Sequence, residues 1–78
     1  MITAEVAIYP MKTENASDVI NSSINTLSRN DVEYSVNSIN TRLSGKKEEV
    51  FSSLKEMFTE AENTGGEVNM VVTISNAT

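Results

Sequence analysis

The chain is 78 residues long, with 11 Asp and Glu against 6 Lys and Arg, a formal net charge of -5, and neither cysteine nor histidine. A single domain of this length buries only about 60 to 65% of its unfolded surface, so a ligand site is expected at a sheet end or between subunits rather than in a deep cavity. The acidic balance has the wrong sign to neutralise nucleic-acid phosphates, and without thiols or imidazoles there are no disulfides, no thiolate metal sites and no histidine general base.

No apolar run approaches the roughly 20 residues that cross a bilayer. Glu5 follows the opening Met1-Ile2 closely and no basic segment precedes an apolar core, so no secretion signal is read and the expected location is the cytoplasm, with no membrane partner. Ile2, Ala4, Val6 and Ile8 alternate with Thr3, Glu5, Ala7 and Tyr9 before Pro10, which lacks a ladder donor; a first strand is predicted to about Tyr9. After a loop over residues 11–14, Asn15 is placed to cap a helix, with Asp18 in a partial capping box. Ala16, Val19, Ile20, Ser23, Ile24 and Leu27 recur on one face of that helix. Asn21, Ser22, Asn25 and Ser28 occupy the other and are poor interior helix formers, so packing must hold it. Arg29-Asn30 suits its end, with Asn30 in a left-handed conformation.

Two alternating runs follow, Val32, Tyr34 and Val36, then Ile39, Thr41 and Leu43, separated by a polar bend over residues 37–40. Gly45 or Ser44 opens a second helix, with Glu48 and Glu49 at the positive end of its macrodipole. Val50, Phe51, Leu54, Met57, Phe58 and Ala61 form its apolar stripe, and both phenylalanines are expected in the core. Residues 63–66 carry turn chemistry, and Val68, Met70, Val72 and Ile74 alternate along a last strand.

The predicted order is βαββαβ, an α+β ferredoxin-like domain over residues 1–78: a four-stranded antiparallel sheet, first and third strands central, with two helices on one face. Val6, Ile8, Ile20, Ile24, Leu27, Leu43, Leu54, Phe58, Val72 and Ile74 are the expected core. The open face would show Thr3, Glu5, Ala7, Tyr9, Ser38, Asn40, Arg42, Asn69, Val71 and Thr73. So mixed a surface, with two free edge strands, implies a homodimer or homotetramer.

Function must be argued from side chains, because this topology hosts many activities. An RNA-recognition module would need several stacking aromatics and a basic surface, and only Tyr9 is placed for such a role. Metal-chaperone domains use a cysteine pair, absent here. An acylphosphatase-like enzyme needs a glycine-rich phosphate cradle with an arginine, whereas the first loop reads Pro10-Met11-Lys12-Thr13. The bend remains the best candidate: Ser38, Asn40 and Thr41 offer both hydrogen-bond donors and acceptors.

Ile2-Thr3-Ala4-Glu5-Val6-Ala7-Ile8-Tyr9-Pro10-Met11 resembles the first strand and proline-ended loop of the small YkoF-like thiamine-binding family. Tyr34-Ser35-Val36, Asn40-Thr41 and Gly45 before Glu48-Glu49-Val50-Phe51 are similar to its later strand, its Gly-Thr or Asn-Thr element and its acidic helix start, in order along essentially the whole chain. Two departures stand out. Ser38-Ile39-Asn40-Thr41 replaces the family's usual Pro-Met-Gly-Thr or Pro-Ser-Asn-Thr, and the Asp-Arg segment and further helix of many members do not follow the last strand. The resemblance implies self-association and noncovalent binding of thiamine or its hydroxymethylpyrimidine part, with no catalysis, cofactor or metal. On that implication Asn40 and Thr41 read the ring, with Ser38 and Tyr34 secondary, while Tyr9 and Glu5 are candidates for meeting the thiazolium cation. The competing reading is a structural or regulatory assembly domain with no small-molecule ligand, in which these are ordinary bend and strand residues.

Overall fold

A computed structural model describes residues 1–77. Strand β1 (Ile2–Pro10) leads to helix α1 (Ala16–Asn25), which tightens into a 3-10 turn (Thr26–Arg29); β2 (Glu33–Val36) and β3 (Thr41–Gly45) follow, then α2 (Lys47–Gly65) and β4 (Val68–Ser75). The strands form one antiparallel sheet in the order β2-β3-β1-β4. The fold is ferredoxin-like, as the alternation predicts, because crossovers through α1 and α2 leave β1 and β3 in the centre. Among the described residues no helix is long and apolar enough to cross a membrane.

Register decides which face each side chain takes. Val6 lies opposite Thr41 on one side and Val72 on the other, and Ala4 lies opposite Leu43 and Ile74. These positions face the helices, and Ala4, Val6, Leu43, Leu27, Val50, Leu54 and Met57 form one buried cluster. Glu5 lies opposite Arg42 and Thr73, and Ala7 opposite Val71, on the open face.

Several local expectations are corrected. Asn15 makes no side-chain cap; instead its N–H donates to Thr13 Oγ1 at 3.0 Å, and its own φ and ψ of -113° and 47° lie outside the extended region that capping requires. α1 ends as an α-helix earlier than its apolar face does. Thr26 Oγ1 donates back to the Ser23 carbonyl at 2.7 Å, the kind of local bond that favours a tighter turn. Asn30 is extended (φ -115°) rather than left-handed, and its amide reaches the Thr26 carbonyl at 3.4 Å. β3 begins at Thr41 rather than near Ser38, and Gly45 ends it opposite Ile2, so α2 starts one residue after its Lys46 cap. Gly65 remains helical where a turn was expected, since the helix needs it against α1: a Cβ there would meet the Val19 Cγ atoms at 2.9 and 3.1 Å. The reversal falls on Gly66, at φ 77°.

The core is also redrawn. Val6, Leu27, Leu43 and Leu54 are buried as expected, with Ile8 and Val72 packed against them. Ile20, Ile24 and Phe58 are half-buried, Ile74 is exposed, and Phe51 is 50% exposed. The face that α2 buries carries Val50, Leu54, Met57 and Ala61, spaced by four, three and four, which puts Phe51 about 100° to one side. Val19 rather than Ile20 is the buried anchor of α1, joined by Ser23, whose hydroxyl donates to the Met57 carbonyl at 3.0 Å across the helix pair.

Candidate functional site

The segment between β2 and β3 is built by one side chain. Asn37 Oδ1 accepts the backbone N–H groups of Ile39 and Asn40, both at 2.9 Å, while the Asn37 N–H donates to the Asn40 carbonyl at 3.0 Å. This is an Asx turn, which closes the bend without glycine or proline. Asn37 Nδ2 donates to Asn40 Oδ1 at 3.1 Å, and Asn40 Nδ2 in turn donates to Glu5 Oε2 at 3.3 Å. The chain of bonds ties the turn to the neighbouring strand.

Beside this turn lies a cleft of about 260 Å³ between β1, the β2–β3 segment and α1. Val6, Ala7 and Ile8 supply β1's share of the lining, and Ile20, Asn21 and Ile24 supply that of α1. Val36 and Ile39, exposed at 53% and 81%, form an apolar rim. Ser38, Asn40 and Thr41 line the same space. Thr41 is only 5% exposed and lies opposite Val6 on the helix side of the sheet. The slot is thus apolar, with hydroxyl and amide groups arriving from two sides. None of its lining residues is charged.

The six sequence candidates divide. Ser38, Asn40 and Thr41 meet in the cleft, and Glu5 touches it from the open face through Asn40. Tyr34 lines a separate shallow groove with Arg42 and Ser44, and Tyr9 stands 53% exposed at the end of β1, opposite Asn69. Asn21 and Asn37 are added. Asn21 counted in the sequence only as part of a polar helix face, although its position between Ile20 and Ile24 was a signal that this edge of α1 faces something both apolar and polar. Asn37, three residues before Asn40, carried the signature of an Asx turn.

A larger depression, about 580 Å³, lies among Met11, Phe58, Glu62 and residues 66–69. Its Glu67 carboxylate is already paired with Lys12 at 3.2 Å, and the Glu67 carbonyl accepts the Met11 N–H at 3.0 Å. The smaller cleft, with several polar side chains converging on apolar walls, is the stronger candidate site. Among the described residues no group of three acidic, His or Cys side chains is placed to hold a metal ion.

A model of the YKOF-related family matches residues 1–78. The chain belongs to that family. No curated protein matches it. Among solved structures, this YKOF-related chain is similar to a hypothetical protein of Methanocaldococcus jannascii, at 24% identity and a TM-score of 0.88 over 99% of this chain and 80% of that one. It is similar to a protein of Streptococcus pneumoniae at 23% identity and a TM-score of 0.91, covering 99% and 87%. A candidate thiamine biosynthesis/salvage protein of Thermotoga maritima aligns at 22% identity and a TM-score of 0.86, over 97% and 83%. At these identities the likeness carries the fold.

Proposed function

We propose that this YKOF-related protein binds thiamine or its hydroxymethylpyrimidine part noncovalently, without turnover, in the cleft between α1 and the β2–β3 turn. The observation that carries this reading is the convergence of Asn21, Ser38 and Thr41 on a slot walled by Ile8, Ile20 and Ile24. An aminopyrimidine presents donors and acceptors on its edge and apolar faces above and below, which is what such a lining complements. Its volume, just under the roughly 300 Å³ at which small-molecule pockets begin, suits one ring better than two. Support from relatives comes from the family match and from the thiamine-related description of the Thermotoga protein.

The test is thermal unfolding with and without ligand. At a hundredfold excess over the dissociation constant, binding to the folded state alone stabilises it by about 2.7 kcal/mol. In a domain this size that raises the melting temperature by roughly 10 to 20 °C. Thr41→Val with Asn21→Ala should abolish the shift. If millimolar thiamine and hydroxymethylpyrimidine both leave the wild-type curve unmoved, the ligand reading falls.

A second reading, an assembly domain with no ligand, is favoured by the exposed Tyr9 and Val71 on the open sheet face. Assembly through that face is compatible with ligand binding, but assembly alone is not, and ligand-induced stabilisation separates the two readings.

A further inference from the structure

Resting on the proposal that the cleft holds a thiamine-type heterocycle, we infer that it selects the unphosphorylated compound and rejects its phosphate esters. A phosphate group is recognised by lysine or arginine, by backbone N–H groups left free in a turn, or by a helix N-terminus. The cleft offers none of these in full. No lysine or arginine lines it. Among the turn N–H groups, those of Ile39 and Asn40 are taken by Asn37 Oδ1 at 2.9 Å and that of Asn37 by the Asn40 carbonyl at 3.0 Å, which leaves Ser38 alone and makes no cradle. Helix α1 begins at Ala16, whereas its cleft residues are Ile20, Asn21 and Ile24, beyond the first turn where the dipole acts.

The charge nearest the turn is negative. Glu5 Oε2 lies 3.3 Å from Asn40 Nδ2, and the chain as a whole carries -5. No cation lines the cleft: Lys12 pairs with Glu67, Arg29 reaches Glu56 at 3.9 Å, Arg42 lies beside Glu5 on the open face and offsets part of its charge there, and Lys46, Lys47 and Lys55 belong to α2 and its cap. A phosphate entering such a site loses water and meets only neutral hydroxyl and amide donors, which do not offset its charge.

The experiment is calorimetric titration of the wild-type chain with thiamine, thiamine monophosphate, hydroxymethylpyrimidine and hydroxymethylpyrimidine phosphate at about 0.15 M ionic strength, where the Debye length is about 8 Å. Each ester is expected to bind at least tenfold more weakly than its parent. Ile39→Lys, at the 81% exposed rim, puts an ammonium at the mouth and should bring the esters to within threefold of the parents; Val36→Lys, at the other rim position, is an independent placement should Ile39→Lys not fold. Esters that bind the wild type as tightly as their parents overturn the inference while leaving the proposed function standing. Discrimination unchanged by both lysine variants assigns it to shape and overturns its attribution to a missing phosphate partner. If none of the four compounds binds, the proposed function fails and the selectivity goes with it.

Discussion

At the scale of the residue, Asn37 has the largest local influence, because one carboxamide closes the turn and holds Asn40, which holds Glu5. Asn37→Ala removes two bonds to backbone N–H groups and one to a side chain, all in exposed surroundings where water compensates in part. The expected loss is about 1 to 2 kcal/mol in chemical denaturation, and the proposed thiamine binding should weaken as the cleft wall loosens. A variant with wild-type stability and affinity would show that the turn is held by its strands alone. Gly65 presents the opposite case, in which an atom is added. Both Val19 methyls lie within 3.1 Å of the Cβ that alanine would introduce, so rotating the valine cannot relieve the contact. Gly65→Ala gains up to about 1 kcal/mol of helix propensity and is expected nonetheless to be net destabilising by about 1 to 3 kcal/mol, as overpacking at a helix crossing. A rise in the denaturation midpoint would mean that the helices separate there at little cost.

At the scale of the element, α2 carries the sheet's helix-side cover through Val50, Leu54, Met57 and Ala61. Leu54→Ala, at a residue 6% exposed inside the main cluster, should cost about 2 to 5 kcal/mol in equilibrium denaturation, whereas Phe51→Ala, at 50% exposure, should cost under about 1.5 kcal/mol. Comparable losses would restore Phe51 to the core. That contrast marks what the sequence makes legible. Periods of two and 3.6 separate strands from helices and give the element order, since they depend only on neighbouring residues. They leave the buried centre of a helical stripe uncertain by about one residue, or 100°, and so place Phe51 with the core and Ile20 ahead of Val19. Gly65 was ambiguous for a related reason: glycine serves turns and close helix approaches alike, and only the packing of α1 distinguishes them. In the cleft, Ser38, Asn40 and Thr41 fall within four consecutive residues, so a local pattern groups them. Asn21 joins them from α1 through tertiary packing, which no local pattern reports.

At the scale of the whole molecule, the open face of the sheet remains to be accounted for. Ala7, Tyr9 and Val71 alternate there with Glu5, Arg42, Asn69 and Thr73, a surface with apolar centres and charges of both signs. A two-fold axis running along the strands between Glu5 and Arg42 would bring each protomer's Glu5 towards its partner's Arg42, and self-complementarity is what an isologous dimer requires. A stable interface buries about 800 Å² per partner, roughly a sixth of the 5057 Å² surface of this chain, an area one sheet face can supply. We therefore expect the wild-type protein to sediment at tens of micromolar as a species heavier than its 8.5 kDa protomer. Val71→Glu, at a position 57% exposed in the protomer, should shift it to the monomer without loss of folding, because a desolvated, unpaired carboxylate opposes association while a solvated one costs the isolated chain little. A wild-type protein found only at 8.5 kDa would remove the assembly reading. Association that survives Val71→Glu unchanged would instead move the contact to the free edge of β4, where unpaired backbone groups offer an alternative route to a partner strand.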